Sequence, residues 1–171
     1  DYKTFHKKIN LDFAARGFDA QLFWYLFSLC GEQKGCRPAG VLYYTARLPL
    51  VDVRGDESAE ELRAMAYAAL KRSGVVLADE RVVLAMDQSG SGRFVPAAIN
   101  RDGSLAKRGG LMTEEGFGQM ERALRESLCR TAEGIAAGNM QIAPQYLDPE
   151  HMACSFCEYG AACRNRFAGA E

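Results

Sequence analysis

The sequence predicts an α/β fold on three observations. Val41-Leu42-Tyr43-Tyr44-Thr45-Ala46-Arg47-Leu48 is rich in β-branched and aromatic residues, the composition of a strand. Its near-continuous apolar start suits a strand covered on both faces, as in the middle of an α/β sheet. Helical patterns with their own start residues, after Asp12, Ser58 and Thr113, lie on either side of it. A chain of 171 residues, 48% hydrophobic and 25% charged, is ordinary globular material and most simply one domain.

Taken in order, Asp1-Tyr2-Lys3 reads as the tail of a strand, where residues i and i+2 share a face. Asp1 and Lys3 then converge. A carboxylate that holds a hard cation, beside an ammonium that steers or activates a water, suits metal-assisted phosphodiester hydrolysis. A basic turn, Thr4-Phe5-His6-Lys7-Lys8, follows. Asp12 is expected to cap a helix from about Phe13 to Cys30, with Phe18, Leu22, Tyr25, Leu26 and Leu29 at helical spacing and Gly31 at its end. Gly17, Gln21 and Tyr25 fall on one line along that helix. On spacing alone, Gln21 and Tyr25 are either a working pair or two polar edge residues of an amphipathic helix.

Gly31–Pro38 is expected to be a loop and Ala39–Val53 the principal strand. Ser58-Ala59-Glu60-Glu61 is a capping-box sequence, and Leu62, Met65, Ala66, Ala69 and Leu70 form the stripe of the helix behind it, which Gly74 ends. Val75-Val76-Leu77 is a short apolar run, and Asp79 caps a brief helix through Met86. Ser89-Gly90-Ser91-Gly92 reads as a flexible turn, Phe94–Ile99 as an edge strand because of Pro96, and Asn100–Ser104 as a tight turn. The positive charges of Arg101, Lys107 and Arg108 make either a solvated face or a phosphate contact. Thr113 starts the longest helix, with Phe117, Met120, Leu124, Leu128 and Ile135 on its stripe and Gly138-Asn139 at its close. There is no internal repeat or low-complexity segment.

The net charge of −1 excludes a polybasic nucleic-acid binder but not an enzyme that touches a few phosphates. No apolar run reaches the roughly 18 residues of a membrane span, and no signal-peptide pattern is present. The chain starts inside a structural element and is expected to be a piece of something longer. Cys154, Cys157 and Cys163 form a C-x2-C-x5-C run. Thiols packed this tightly suit metal thiolates better than disulfides, since a tight turn can aim several sulfurs at one point. The alternative is reduced, buried cysteines in an intracellular protein. A fourth ligand would come from Cys30, Cys36, Cys129, His151 or an upstream segment, and Arg164 and Arg166 suit a phosphate or a cluster's negative charge.

Together these stretches resemble a known family. Asp1-Tyr2-Lys3 is similar to the second half of the PD-(D/E)xK nuclease motif, and Gln21-Leu22-Phe23-Trp24-Tyr25 to the QxxxY motif of its RecB-like branch. Cys154, Cys157 and Cys163 resemble the last three ligands of that branch's iron–sulfur staple. Ala39–Tyr44, Ser104–Gly109 and Thr113–Glu115 are similar to the nuclease domain of the AddB-type subunit of bacterial AddAB helicase-nucleases. The resemblance implies a mixed central β-sheet flanked by helices, the restriction-endonuclease-like core, truncated at its N-terminus. It implies one nuclease domain over residues 1–171 with a Cys-rich staple at about 150–167.

In that family Asp1 would ligate Mg2+, the carbonyl of Tyr2 would add a second oxygen, and Lys3 would orient the attacking water. Gln21 and Tyr25 would position the DNA strand and brace the catalytic residues. Lys107 and Arg108 are the further DNA-contact candidates. Cys154, Cys157 and Cys163 would hold three irons of a [4Fe–4S] cluster. The implied function is DNA degradation by an ATP-dependent helicase-nuclease that resects double-strand breaks, acting on double-stranded ends and single strands in the cytoplasm, as a heterodimer with an AddA-type subunit and with no membrane. The family places another acidic ligand, usually a His, and the first cluster Cys before Asp1. This stretch by itself is therefore expected to have little nuclease activity and a cluster site that is absent or altered. The alternatives are a Cas4-like or stand-alone RecB-type exonuclease and a non-catalytic module that binds DNA or a partner, with a disulfide-stapled secreted domain further off.

Overall fold

The computed structural model describes residues 8–44, 50–107, 109–142, 144, 154 and 157–163. The chain forms two compact units, Asp1–Ser127 and Leu128–Glu171. The expected strand at Asp1–Lys3 and most of the turn after it lie outside the described residues.

The single helix expected over Phe13–Cys30 is two. Helix α1 spans Leu11–Ala15 and helix α2 spans Gln21–Glu32. The cap of α1 is Asn10, not Asp12: Asn10 Oδ1 accepts the Phe13 N–H at 3.1 Å. The break is a Schellman closure. Gly17 N–H donates to Ala14 O at 2.9 Å and Phe18 N–H to Phe13 O at 2.9 Å, with Gly17 at φ +92°. Gly17 therefore leaves the helical line it was expected to share with Gln21 and Tyr25. At the other end α2 continues through Gly31 to Glu32.

Strand β1 (Gly40–Tyr43), helix α3 (Ala59–Ala69), strand β2 (Ser73–Leu77), helix α4 (Glu80–Met86), strand β3 (Leu111–Met112) and helix α5 (Glu114–Ala136) follow. The three strands form one sheet in the order β1-β2-β3. β1 runs antiparallel to β2, with Gly40 opposite Val76 and Leu42 opposite Gly74, and β3 runs parallel to β2, with Val76 opposite Leu111. The sheet is thus mixed, as expected, but its middle strand is β2. Among the described residues β1 pairs on one side only, and Leu50–Val53 are not in a strand. Gly74 does not end α3. It lies inside β2 at φ +148°, where a Cβ would run into the Val41 carbonyl oxygen, so only glycine lets the two backbones close up.

Side chains alternate across a strand, and β2 uses both faces. Val75 and Leu77 enter a core with Ala14, Phe23, Phe27, Val41, Phe117, Met120 and Leu124. Val76 enters a second core with Val83, Val95 and Ala97. Each fully buried Phe or Leu here contributes about 1.5–3 kcal/mol. Helices α1, α2 and the first turns of α5 thus supply one face of the sheet, and α4 with the Val95–Ala97 segment supplies the other. The stripe expected on α3 has no such role, since no residue of α3 is buried. The α5 stripe is buried at Phe117, Met120 and Leu124, while Leu128 and Ile135 are exposed.

The local stop and start residues behave as their chemistry requires. Ser58 and Glu61 form the reciprocal capping box of α3, Asp79 caps α4 by accepting Arg81 N–H at 2.9 Å, and Thr113 Oγ1 accepts Gly116 N–H at 3.0 Å at the head of α5. Phe94–Ile99 is not an edge strand. Pro96 has no N–H, Val95 and Ala97 are buried, and the segment's bonds go to scattered partners, such as Gly110 N–H to Pro96 O at 2.6 Å and Ile99 N–H to Gly90 O at 2.8 Å. The turn at Ser89–Gly92 is organised by Asp87, which is buried and accepts Ser89 Oγ at 2.6 Å, Ser89 N–H at 3.2 Å and Arg93 N–H at 3.2 Å.

In the second unit α5 closes as expected, with Gly138 N–H on Ile135 O at 3.0 Å and Asn139 N–H on Gly134 O at 2.9 Å. A short 3-10 helix, Glu158–Ala161, lies between Cys157 and Cys163.

Candidate functional site

Helix α2 sets its two phenylalanines against the sheet and turns Gln21 and Tyr25 outward. Phe23 and Phe27 are buried and their rings stack at 6.1 Å. A helical residue four positions on stands directly above the first, and here the two meet: Gln21 Nε2 donates to the Tyr25 hydroxyl at 2.5 Å. Tyr25 is half exposed, at 49%. Because the amide supplies the proton of this bond, the Tyr25 O–H keeps its own proton as a donor and the Gln21 carbonyl oxygen remains an acceptor. Among the described residues neither group has a further partner. The pair thus offers one donor and one acceptor side by side on a rigid helix, suited to a phosphate oxygen and a nucleotide or water.

Asp1, Tyr2, Lys3 and Arg108 lie outside the described residues. Lys107 is exposed, beyond the bridge that pairs Ile99 with Leu105 and the Ala106 N–H to Ala98 O bond of 2.8 Å.

All six cysteines are free thiols. Cys154 and Cys163 are half-buried and Cys157 is exposed. Cys157 N–H donates to Cys154 O at 3.2 Å, so these two thiols bracket one tight turn, and Cys163 N–H donates to Tyr159 O at 2.9 Å. Among the described residues no three His, Cys, Asp or Glu side chains gather into a metal-holding group. The donor chemistry of three accessible thiols in one short segment fits a soft metal or cluster with a ligand still to be added. Of the alternative fourth ligands, Cys36 is exposed and its thiol donates to Gln33 Oε1 at 3.2 Å. Burial pushes the Cys30 thiol above its ordinary range, with Cys36 and Glu121 adding to the effect, so Cys30 is held in its neutral form. His151 lies outside the described residues.

Sequence reasoning missed Arg37. It bonds Asp79 at 2.6 Å and lies 4.0 Å from Glu114, tying the approach to β1 to the heads of α4 and α5. The Arg37 guanidinium and the Arg81 N–H hold the Asp79 carboxyl below the usual carboxylate range. Nothing in the sequence marks Arg37 out, because its partners are distant in the chain. No helix among the described residues is long and apolar enough to cross a membrane.

The chain matches the model of the PD-(D/E)XK nuclease superfamily over residues 1–164. It is 31% identical over 170 residues to an ATP-dependent helicase/deoxyribonuclease subunit of the AddB type from Thermoanaerobacter sp. (strain X514), an alignment covering 96% of this chain and 15% of that protein. It is 31% identical over 174 residues to the protein of the same name from Bacillus mycoides (strain KBAB4), with the same coverage. Against that of Clostridium novyi (strain NT) it is 32% identical over 170 residues, covering 95% of this chain and 15% of the relative. The chain spans about 15% of the length of these relatives.

Proposed function

The chain belongs to the PD-(D/E)XK nuclease superfamily, and from that premise we propose that it is the DNA-cleaving domain of an ATP-dependent helicase-deoxyribonuclease that processes double-strand breaks for recombinational repair. The observation that carries the proposal is the likeness, along almost its whole length, to one region of proteins named for that activity. The outward Gln21–Tyr25 pair supports it, because these two residues of the QxxxY pattern are joined on the solvent face of a helix whose other side is buried.

The residues divide the work by their chemistry. The Asp1 carboxylate and the Tyr2 carbonyl are hard oxygen donors of the kind Mg2+ takes. The metal, when bound, would polarise the phosphate and generate a nucleophilic water. Lys3 would orient that water and stabilise charge developing on the phosphate. Tyr25 would donate to a strand phosphate while Gln21 holds the ring in place, and Lys107 and Arg108 would add phosphate contacts. Cys154, Cys157 and Cys163, with one further ligand, would hold a [4Fe–4S] cluster as a structural staple. On this proposal residues 1–171 are one nuclease domain, working in the cytoplasm on DNA ends and single strands beside an AddA-type partner subunit.

The test uses the intact protein with its partner, ATP, Mg2+ and linear duplex DNA. Asp1→Ala and Lys3→Ala should each slow degradation by on the order of 10²–10⁴-fold while unwinding continues. Unchanged degradation in both would make the domain a non-catalytic binding module. Separately, Cys157→Ser should cost the protein its iron and the absorption at about 400 nm that a thiolate-bound cluster gives. Zinc in place of iron would make the staple a zinc site.

A further inference from the structure

Away from Gln21 and Tyr25, the first unit carries three exposed rings and two guanidiniums in one chain of contacts. The register that sets Tyr43 opposite Ser73, continued by one residue, sets Tyr44 opposite Arg72. Arg72 lies over the Tyr44 ring, its Cζ 5.6 Å from the centroid. The Arg72 N–H donates to Phe94 O at 3.1 Å, which brings the next residues alongside. There Phe94 meets Tyr67 edge to face at 5.9 Å and 89°. Arg93 lies 3.7 Å above the Tyr67 ring and 5.6 Å from that of Phe94.

Rings of this size are usually covered. Here Tyr44 is 61% exposed, Tyr67 39% and Phe94 39%. The guanidiniums are equally available. Among the described residues no carboxylate pairs with Arg72 or Arg93. A guanidinium that lays its face on a ring keeps its in-plane N–H donors directed outward, in the fork geometry that suits phosphate. The local charge is one-sided. No acidic residue occurs between Glu61 and Asp79, a span that holds Arg63, Lys71 and Arg72, nor between Asp87 and Asp102, a span that holds Arg93 and Arg101. Asp87 itself is buried and turned to the backbone of its own loop.

We infer that Tyr44, Tyr67 and Phe94, with Arg72 and Arg93, form a stacking platform for single-stranded nucleic acid. Exposed rings offer sequence-tolerant stacking to unpaired bases, and the free edges of the two arginines offer charge-assisted bonds to the phosphates between them. A duplex has no unpaired base faces to offer, so the platform selects a separated strand. The proposal rests on the nuclease reading only for the source of that strand.

The experiment is photo-crosslinking in the intact protein, with a chelator present so that no strand is cut. The probe is a single-stranded oligonucleotide carrying 5-iodouracil, which joins to aromatic rings stacked on it, and the joined peptides are mapped. Crosslinks at Tyr67 or Phe94 are expected, reduced at least about tenfold by Arg93→Gln and absent when the same base is paired in a blunt duplex. Arg93→Lys, which keeps the charge and loses the planar fork, should not restore them. The Arg93 side chain carries none of the loop's bonds to Asp87, so the fold should survive these changes, and an unaltered melting midpoint checks it. Crosslinks elsewhere in the protein with none at Tyr44, Tyr67 or Phe94 would overturn the platform, as would undiminished crosslinks in Arg93→Gln. Because no cleavage is scored, this failure is separate from that of Lys3→Ala to stop DNA degradation.

Discussion

Helices α2 and α3 both follow an amphipathic sequence pattern, and they are held in opposite ways. α2 has the poorer local start: its N-cap is Ala20, with no side-chain hydrogen bond, yet it buries Phe23 and Phe27 beneath the sheet. α3 has the better start, a reciprocal Ser58–Glu61 capping box, and buries nothing; Leu62 is 40% exposed. A cap contributes about 1 kcal/mol, while two buried phenylalanines contribute about 3–6 kcal/mol together. The difference also bears on function. A side-chain pair that must hold a strand in register belongs on the helix whose position the core decides, and Gln21 and Tyr25 are on α2. The long-range tie of α3 is at its end, where Tyr67 meets Phe94 and Arg93.

The largest expected effect comes from removing the burial that distinguishes α2. Phe23→Ala should cost about 3–5 kcal/mol of unfolding free energy, read from the denaturant midpoint. A loss below about 1 kcal/mol would break the contrast, since α2 would then be no better anchored than α3. Next is Asp87, which shapes the loop that α3 leans on. Asp87→Ala leaves the Ser89 and Arg93 donors unmet and should cost about 1–3 kcal/mol. Burial alone raises this carboxyl, but the Ser89 hydroxyl and the backbone N–H groups outweigh it and leave it below the usual range. A depressed native value means that its contribution is complete above the unfolded value of about 3.9 and is lost as pH falls through the native one. The gap between Asp87→Ala and the parent should therefore be full at neutral pH and shrink in acid below about pH 4.

Smaller still is Ser58→Ala, at about 1 kcal/mol. Its effect should show first as faster hydrogen exchange in the opening turn of α3 and leave α2 untouched. Smallest is Leu62→Gln on the exposed stripe of α3, expected within about 0.5 kcal/mol of the parent. A larger loss would show that this stripe is covered in the intact protein.

Legibility follows range in the chain. The caps at Ser58, Asp79 and Thr113 and the closure at Gly138-Asn139 can be read directly, because each is made between residues within about one turn. The break between α1 and α2 cannot. Apolar periodicity runs through it, and spacing sets Gly17 on a helical face when it is the left-handed residue of a Schellman turn. Gly74 misleads in the other direction: it has the look of a helix stop and is a strand residue pressed against Val41. In the candidate site the spacing of Gln21 and Tyr25 is plain, but the bond between them depends on side-chain conformations that spacing leaves open. Arg93 and Tyr67 cannot be paired from the sequence at all, since they meet only after β2 and its loop are in place.

The sequence alone determined which residues start and stop most helices, the run of β2, the mixed α/β class through its resemblance, and the positions from which a nuclease site would be built. These rest on bonds between near neighbours or on residue types at set spacings. The tertiary structure decided that β2 is the middle strand, that α2 is anchored while α3 is not, and that three separated rings and two arginines share one surface. Each of these depends on what a distant segment brings to the same place. Burial and stacking are properties of neighbours in space, and the chain acquires those neighbours only when it folds.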